Sequence, residues 1–165
     1  MGKWSMRYRA AISRSDSTRR LHDAGCFVII TVNSMQLPDV LPSPCHVLFV
    51  GINPGLGSAR RGHHFGGPGN PFWRLLHSAA FTPRVLAPEE DVLLAEFGWG
   101  LVNLWDRPTR TAAELRRDEL EQGRVRLLER VERVRPRVVA LVGISLFRAV
   151  FPGVRKPGPV AKDVR

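Results

Sequence analysis

The chain has 165 residues, which is the size of one ordinary domain rather than two. Its formal net charge is +10. Apolar residues make up 44% of it, but no apolar run approaches the about 20 residues that span a bilayer, so we expect no membrane protein. The two cysteines are too few for a disulfide framework or for a four-cysteine zinc or iron–sulfur site. They favour a reducing, intracellular location, and we expect a cytoplasmic protein.

The positive charge lies mainly at the two ends of the chain. Residues 1–36 carry a net +4 and residues 137–165 a net +5, whereas residues 37–136 carry only +1. The total charge is therefore weak support for DNA binding, because solvated basic tails explain it equally well. We interpret residues 1–36 as a basic, poorly ordered extension, residues 37–151 as the folded domain and residues 152–165 as a divergent basic tail.

The first predicted strand is a short apolar run at residues 46–50, which Gly51 ends. A loop of Gly, Pro, Arg and His follows and extends to Pro71. Next to it we predict a helix, because apolar side chains recur there at helical spacing. The members of this stripe are Phe72, Leu75, Leu76, Ala79 and Ala80.

The middle of the chain predicts a helix, a strand and a second helix. Pro88 begins the first helix, with three acidic residues in its first turn. Residues 100–105 form the second predicted strand. Thr111 and Glu114 then make a capping box for a helix that extends to Pro136.

The last predicted elements are a buried strand at residues 138–142 and a short helix at residues 144–151. Strands that are apolar throughout and alternate with helices predict an α/β fold with a parallel sheet covered on both faces. In open sheets of this kind, ligands bind beyond the carboxyl ends of the strands. The loop after Val50 is therefore the first candidate site.

That loop contains three motifs in order. It begins Gly-Ile-Asn-Pro-Gly at residues 51–55, has Phe65 twelve residues after the asparagine, and ends Asn-Pro-Phe-Trp at residues 70–73. Glycines at a strand end let backbone N–H groups approach a flat or anionic ligand, and Pro54 fixes the direction of Asn53. A tight strand-to-helix turn with Asn53 as a turn former is the alternative interpretation.

The order of these motifs resembles that of the mismatch-specific uracil/thymine DNA glycosylase family. Phe81-Thr82, Asp106-Arg107-Pro108-Thr109 and Arg135-Pro136 also agree with that family in order and spacing. The resemblance covers residues 37–151 and implies a three-layer α/β/α fold with a short parallel sheet, like that of uracil-DNA glycosylases. It further implies a monomer that acts in base-excision repair on double-stranded DNA, removing uracil, thymine or a modified cytosine opposite guanine.

The resemblance also assigns roles by position. Asn53 matches the family's catalytic asparagine, which positions the water that attacks the sugar C1′ atom. Phe65 matches the aromatic residue that stacks on the flipped base. The candidate substrate-binding residues are Gly51, Ile52, Pro54, Gly55, His64, Phe65 and Asn70, and the N–H groups of Ile52 and Phe65 are candidate partners of the departing uracil anion. Ser58, Arg60 and Arg61 are candidate contacts to DNA phosphates.

No metal or other cofactor is expected. His63 and His64 adjoin the site, but two adjacent loop histidines with no cysteine or carboxylate nearby in the sequence are a poor ligand set. We expect one of them to contact phosphate or to cap a backbone carbonyl. The lysines Lys3, Lys156 and Lys162 all lie outside the resembling segment. Because strand cleavage through a Schiff base needs an amine, a monofunctional enzyme that leaves an abasic site is predicted.

Two other functions fit the sequence. Gly51, Gly55 and Gly57 after a strand suggest a phosphate cradle in a small nucleotide-binding enzyme, although no Gly-Lys-Ser/Thr follows. The second is a non-catalytic nucleic-acid binder, because the resemblance fades after Phe151 and residues 152–165 contain no loop like the family's Asn-Pro-Ser-Gly-Leu. The expectation on this basis is a truncated glycosylase that excises uracil less well from duplex DNA than from single strands.

Overall fold

The structure is a computed structural model that describes residues 36–154, all of them within one compact unit. The predicted extension at residues 1–36 and the predicted tail at residues 152–165 lie almost entirely outside the described residues. Three parallel strands form one sheet in the order β2-β1-β3. They are β1 (Val47–Gly51), β2 (Trp99–Asn103) and β3 (Val138–Leu141).

Helices connect the strands, as the alternating pattern predicts. The α-helices are α1 (Leu56–Arg61), α2 (Phe72–Ser78), α3 (Arg117–Val134) and α4 (Ile144–Val150). A 3₁₀ helix at Pro88–Phe97 precedes β2, and a short 3₁₀ turn at Ala112–Glu114 precedes α3. No helix within residues 36–154 is long and apolar enough to cross a membrane.

Alternate residues of β1 enter two different cores. Phe49 packs with residues of α2 and the 3₁₀ helix on one face of the sheet, whereas Leu48 and Val50 pack with α3 and α4 on the other. Because side chains alternate between the faces of a strand, one central strand contributes to both cores. The predicted α/β fold, with a short parallel sheet between two helical layers, is confirmed.

The third strand differs from its prediction as a buried strand. Val138 and Val139 are 54% and 37% exposed, although both belong to an apolar run. The reason is position, because β3 pairs only with β1 and forms one edge of the described sheet. An apolar run indicates what a strand is suited to bury, but it does not show which of its sides is covered.

The helix after the candidate loop is shorter than its apolar stripe predicts. It ends at Ser78, and Leu75 is 61% exposed. Ala80 adopts a positive φ of 59°, and the next residue, Phe81, donates its N–H to Leu76 O at 2.9 Å. This arrangement closes the helix in the manner of a Schellman motif, so the stripe continues in the sequence after the helix has ended.

The predicted capping box does not begin the long helix. Thr111 and Glu114 instead enclose the short 3₁₀ turn, with the Thr111 N–H donating to Glu114 Oε1 at 3.0 Å. Helix α3 begins at Arg117, where the carboxylate of Glu119 accepts the Arg116 N–H at 2.8 Å. The same capping interaction therefore occurs twice, five residues apart, and the second occurrence starts the helix.

Candidate active site

The loops after β1 and β2 remain paired beyond the ends of the strands. The Leu104 N–H donates to Gly51 O at 2.8 Å, and the Thr109 N–H donates to Pro54 O at 3.1 Å. The first loop therefore lies alongside the second at the carboxyl edge of the sheet. This is where open parallel sheets bind their ligands, and where the sequence places the candidate motifs.

Gly51 lets the two strand ends approach closely. It is the register partner of Asn103, and a Cβ atom added to it would lie 2.5 Å from Asn103 Oδ1 and 3.5 Å from Phe65 Cζ. A side chain at this position would force its neighbours to move, so the glycine is required by the contact itself. The structure thus brings the predicted residues Gly51 and Phe65 together and places Asn103 beside them.

Asn103 is a candidate site residue that the sequence analysis missed. It is 7% exposed, yet its side-chain amide has no hydrogen-bond partner within residues 36–154. An amide that forms no hydrogen bond within the described residues is available to a ligand. The available signal was a polar residue at the carboxyl end of an otherwise apolar strand.

The amide nitrogen of Asn53 is held by the loop that follows β2. Nδ2 donates to Arg107 O at 2.8 Å, to Thr109 Oγ1 at 2.7 Å and, more weakly, to Pro54 O at 3.3 Å. Carbonyl oxygens only accept hydrogen bonds, so the nitrogen of the amide must face them. The Thr109 hydroxyl donates to Thr111 O at 2.7 Å, which leaves its oxygen free to accept from Asn53.

These contacts leave the amide oxygen of Asn53 available. No donor in the described part of the chain bonds to Oδ1, and Asn53 is half-buried. An amide oxygen is too weak a base to deprotonate water, but it accepts a hydrogen bond from a water and so fixes that water's position. The arrangement is suited to orienting a nucleophile.

Phe65 presents its ring from a loop backed by the core. Its backbone has a positive φ of 51°, and its ring stacks on Phe72 with centroids 3.8 Å apart. Phe72 is buried and makes edge contacts with Phe49 and Trp73. Phe65 itself is half-buried, so the core supports a partly open aromatic ring at the carboxyl edge of the sheet.

The two loop histidines contact a buried carboxylate that their sequence neighbours do not indicate. Asp91, which is 4% exposed, accepts the His64 N–H at 2.9 Å and is hydrogen-bonded to His63 Nδ1 at 3.2 Å. The ring of His64 is 1% exposed, and its Nε2 bonds to Pro38 O at 2.9 Å. Burial lowers the pKa of His64, so the ring is neutral and Nε2 donates. His64 thus caps a carbonyl in the interior and does not face the open edge of the sheet.

Other candidate residues fall into two groups. Asn70 Oδ1 accepts the Phe72 N–H at 3.0 Å and so anchors the start of α2. Ser58 is 6% exposed inside α1, whereas Arg60 and Arg61 are exposed in the last turn of that helix. The structure therefore leaves the two arginines accessible to a phosphate but not the serine.

The backbone donors of the site are also available. Within residues 36–154, no acceptor bonds to the N–H of Ile52 or of Phe65. Pro54 is buried, and Gly55 is the exposed residue that precedes α1. In the described part of the chain, no group of three His, Cys, Asp or Glu residues could hold a metal ion.

A carboxylate on α3 fixes the loop after β2. Glu119 accepts two hydrogen bonds of 2.6 Å from Arg107 and one of 2.9 Å from Trp105 Nε1. The Arg107 guanidinium and the Arg116 N–H lower the pKa of Glu119 to about 2, so the carboxylate is ionised. The sequence predicted neither this ion pair nor the contact of Thr109 with Asn53, because both join residues far apart in the chain.

The family model of the uracil DNA glycosylase superfamily matches residues 38–163. The chain belongs to this superfamily. Its function is thereby that of a DNA glycosylase, a hydrolase that acts on uracil in DNA repair. The match extends past Phe151, where the motif resemblance fades, and it includes Lys156 and Lys162.

Proposed function

We propose that this chain hydrolyses the N-glycosidic bond of uracil that is mispaired with guanine in DNA, leaving an abasic site. The observation that carries this proposal is the fixed amide of Asn53. Its nitrogen is anchored by Arg107 O and Thr109 Oγ1, and no donor within residues 36–154 bonds to its oxygen. An anchored amide has already lost its rotational freedom, so the side chain needs no further ordering when it positions the water.

The chemistry needs only water and the groups of this site. Water held by Asn53 Oδ1 attacks C1′ of the sugar, and the bond from C1′ to N1 of uracil breaks. Its electron pair leaves with the base, the sugar gains the hydroxyl, and the remaining proton goes to solvent or to the uracil anion. Donors near the anion, namely the N–H groups of Ile52 and Phe65 and the amide of Asn103, stabilise the developing charge.

Phe65 is proposed to hold the base after it leaves the helix. Stacking of a base on an aromatic ring contributes about 1–3 kcal/mol, and a base must leave the duplex stack before C1′ is accessible. The ring is backed by Phe72 at 3.8 Å, so it cannot retreat when a base presses on it. Arg60 and Arg61 are proposed to contact phosphates, as exposed arginines in the last turn of α1.

We further propose that the enzyme is monofunctional. Residues 36–154 contain no lysine, so the described part of the site offers no amine for a Schiff base. Lys156 and Lys162 lie outside the described residues. Borohydride added during the reaction tests this point, since it should trap no covalent complex between the chain and the DNA. A trapped complex would contradict the proposal.

The decisive experiment is single-turnover cleavage of a labelled duplex with one uracil opposite guanine, followed by alkali to reveal abasic sites. Asn53→Ala should lower the rate by orders of magnitude while binding to abasic DNA persists, because the water-orienting oxygen is lost and Phe65 remains. Gln122→Ala, which removes an exposed amide from α3, is the matched control and should keep the parental rate.

Three results would contradict the proposal. A near-parental rate for Asn53→Ala would show that Asn53 does not position the attacking water. Tight binding without excision would indicate a non-catalytic DNA binder. Thermal stabilisation by ATP or NAD, with no response to uracil-containing DNA, would indicate a nucleotide-binding enzyme.

Substrate choice is tested in the same assay. Uracil opposite adenine, thymine opposite guanine and an alkylated cytosine opposite guanine are compared with uracil opposite guanine, and the last is expected to be cleaved fastest. The same uracil in a single strand shows how much of the duplex rate depends on extracting the base. Equal rates opposite guanine and adenine would remove mismatch specificity and leave the general uracil activity.

A further inference from the structure

Arg107 connects helix α3 to the proposed catalytic amide. Its side chain bonds to Glu119 through Nε and Nη2, each at 2.6 Å, and its Nη2 also donates to Glu114 O at 3.0 Å. Its backbone carbonyl accepts from Asn53 Nδ2 at 2.8 Å. One residue therefore joins α3, through its side chain, to the Asn53 amide, through its carbonyl.

Glu119 is well placed to prevent that displacement. Its side chain is only 5% exposed, whereas that of Arg107 is 45% exposed, so the carboxylate is the fixed partner of the pair. It also accepts from Trp105 Nε1 at 2.9 Å and from the Arg116 N–H at 2.8 Å. Four hydrogen bonds on one ionised carboxylate, carried by an 18-residue helix, define a single position for the loop.

The other anchor of Asn53 is held from a different direction. Thr109 donates its N–H to Pro54 O at 3.1 Å, on the same loop as Asn53 itself. Thr109 is therefore fixed to the loop after β1, whereas Arg107 is fixed to α3 by Glu119. Of the two strong acceptors of the Asn53 amide, only the Arg107 carbonyl depends on the ion pair with Glu119.

We infer that Glu119 and Arg107 are positioning residues, which set the orientation of the Asn53 amide through the Arg107 carbonyl. The inference rests on the proposed role of Asn53 in catalysis. Neither side chain needs to touch the DNA. A misplacement of about 1 Å can lower a rate about 100-fold, and with Thr109 still in place we expect a loss of about tenfold when Glu119 is changed.

Glu119→Gln tests the inference, because glutamine keeps the size and removes the charge. The matched control is Glu90→Gln. Glu90 accepts from Arg84 at 2.8 and 2.6 Å and from the Ala87 N–H at 2.9 Å, and its pKa is likewise lowered, chiefly by Arg84, to about 2. Glu90 has no hydrogen bond to the loop of Arg107 within residues 36–154. Glu119→Gln should slow single-turnover excision about tenfold, whereas Glu90→Gln should leave it unchanged.

Two further measurements separate positioning from simple destabilisation. In an Asn53→Ala background, Glu119→Gln should cause no additional loss, because its effect passes through that amide. In a ¹⁵N–¹H spectrum, the side-chain NH₂ signals of Asn53, assigned by their disappearance in Asn53→Ala, should shift in Glu119→Gln and stay in place in Glu90→Gln. A purely structural role for Glu119 would not produce this pattern.

Each outcome decides the question. A parental rate for Glu119→Gln, an equal further loss in the Asn53→Ala background, or unmoved Asn53 signals would overturn the inference. If Glu119→Gln does not fold, Arg107→Lys, which keeps the charge but loses the two-point contact, is measured in its place. If the parent chain excises nothing, the proposed function fails, and the Asn53 signals alone then decide whether Glu119 positions the amide.

Discussion

The two strands beside β1 differ in burial and in how far their pairing with β1 extends. On the β2 side, four of the five residues of the neighbouring strand are buried, and pairing continues past the strand ends into the loops. On the β3 side, Val138 and Val139 are exposed, and no candidate site residue follows the strand within residues 36–154. The comparison indicates that the β1–β2 flank is the more deeply buried of the two and that the candidate site lies on it.

The largest expected effect is on stability, at the centre of the β2 flank. Leu101 is 0% exposed, so Leu101→Ala leaves a cavity in the core and should lower the free energy of unfolding by about 2–5 kcal/mol. Urea denaturation measures this change. A loss well below 1 kcal/mol would show that the β2 flank is not the more stable one.

The next effect is on activity, at the contact between the strand ends. In Gly51→Ala the new Cβ would lie 2.5 Å from Asn103 Oδ1, so Asn103 or the loop after β1 must move. We expect excision to fall about 100-fold, while the protein remains folded. Gly67→Ala is the control, because nothing lies within 4 Å of its Cβ position. Equal excision rates for the two variants would show that the close contact of Gly51 with Asn103 is not needed for activity.

A smaller effect concerns the pH dependence of stability. The pKa of Glu119 is lowered from 4.5 to about 2, so its ionised form stabilises the fold above pH 4.5, and that contribution is lost as the pH falls toward 2. The parent should lose stability across this range, and Glu119→Gln should lose less. Thermal melts at several pH values measure both slopes. Parallel curves would mean that the ion pair does not stabilise the loop after β2.

The smallest effect is expected on the β3 flank. Val138→Thr changes a side chain that is 54% exposed, so the free energy of unfolding should change by no more than about 0.5 kcal/mol. Urea denaturation alongside Leu101→Ala makes the comparison direct. A loss similar to that of Leu101→Ala would show that β3 is covered in solution and would remove the contrast between the flanks.

Local patterns predicted the architecture and the location of the site. The apolar runs gave the three strands within one or two residues, because a short buried strand leaves a continuous apolar signature. The motif Gly-Ile-Asn-Pro-Gly directed attention to Asn53, since a parallel sheet exposes the loops at its carboxyl edge. The family match confirms the superfamily, and the roles of Asn53 and Phe65 stay predictions.

The partners of the site residues could not be predicted in the same way. Asp91 contacts His63 and His64 from 28 and 27 positions away, and Glu119 reaches Arg107 across 12. Such pairs depend on how the loops turn and on which helix packs against them. The spacing of residues in the sequence does not indicate either. A histidine in a glycine-rich loop therefore suggested a contact to substrate, although its ring lies in the interior.

The positive φ of Phe65 places two demands on one position. Left-handed backbone costs a non-glycine residue about 1–2 kcal/mol, and glycine adopts it freely. At φ 51°, Phe65→Gly would remove that strain and the ring together. The same substitution would also remove the packing of the ring on Phe72, so relief of the strain is set against lost core contacts. If Phe65 has its proposed role, this loop keeps a strained backbone at the position where it presents an aromatic ring to the base.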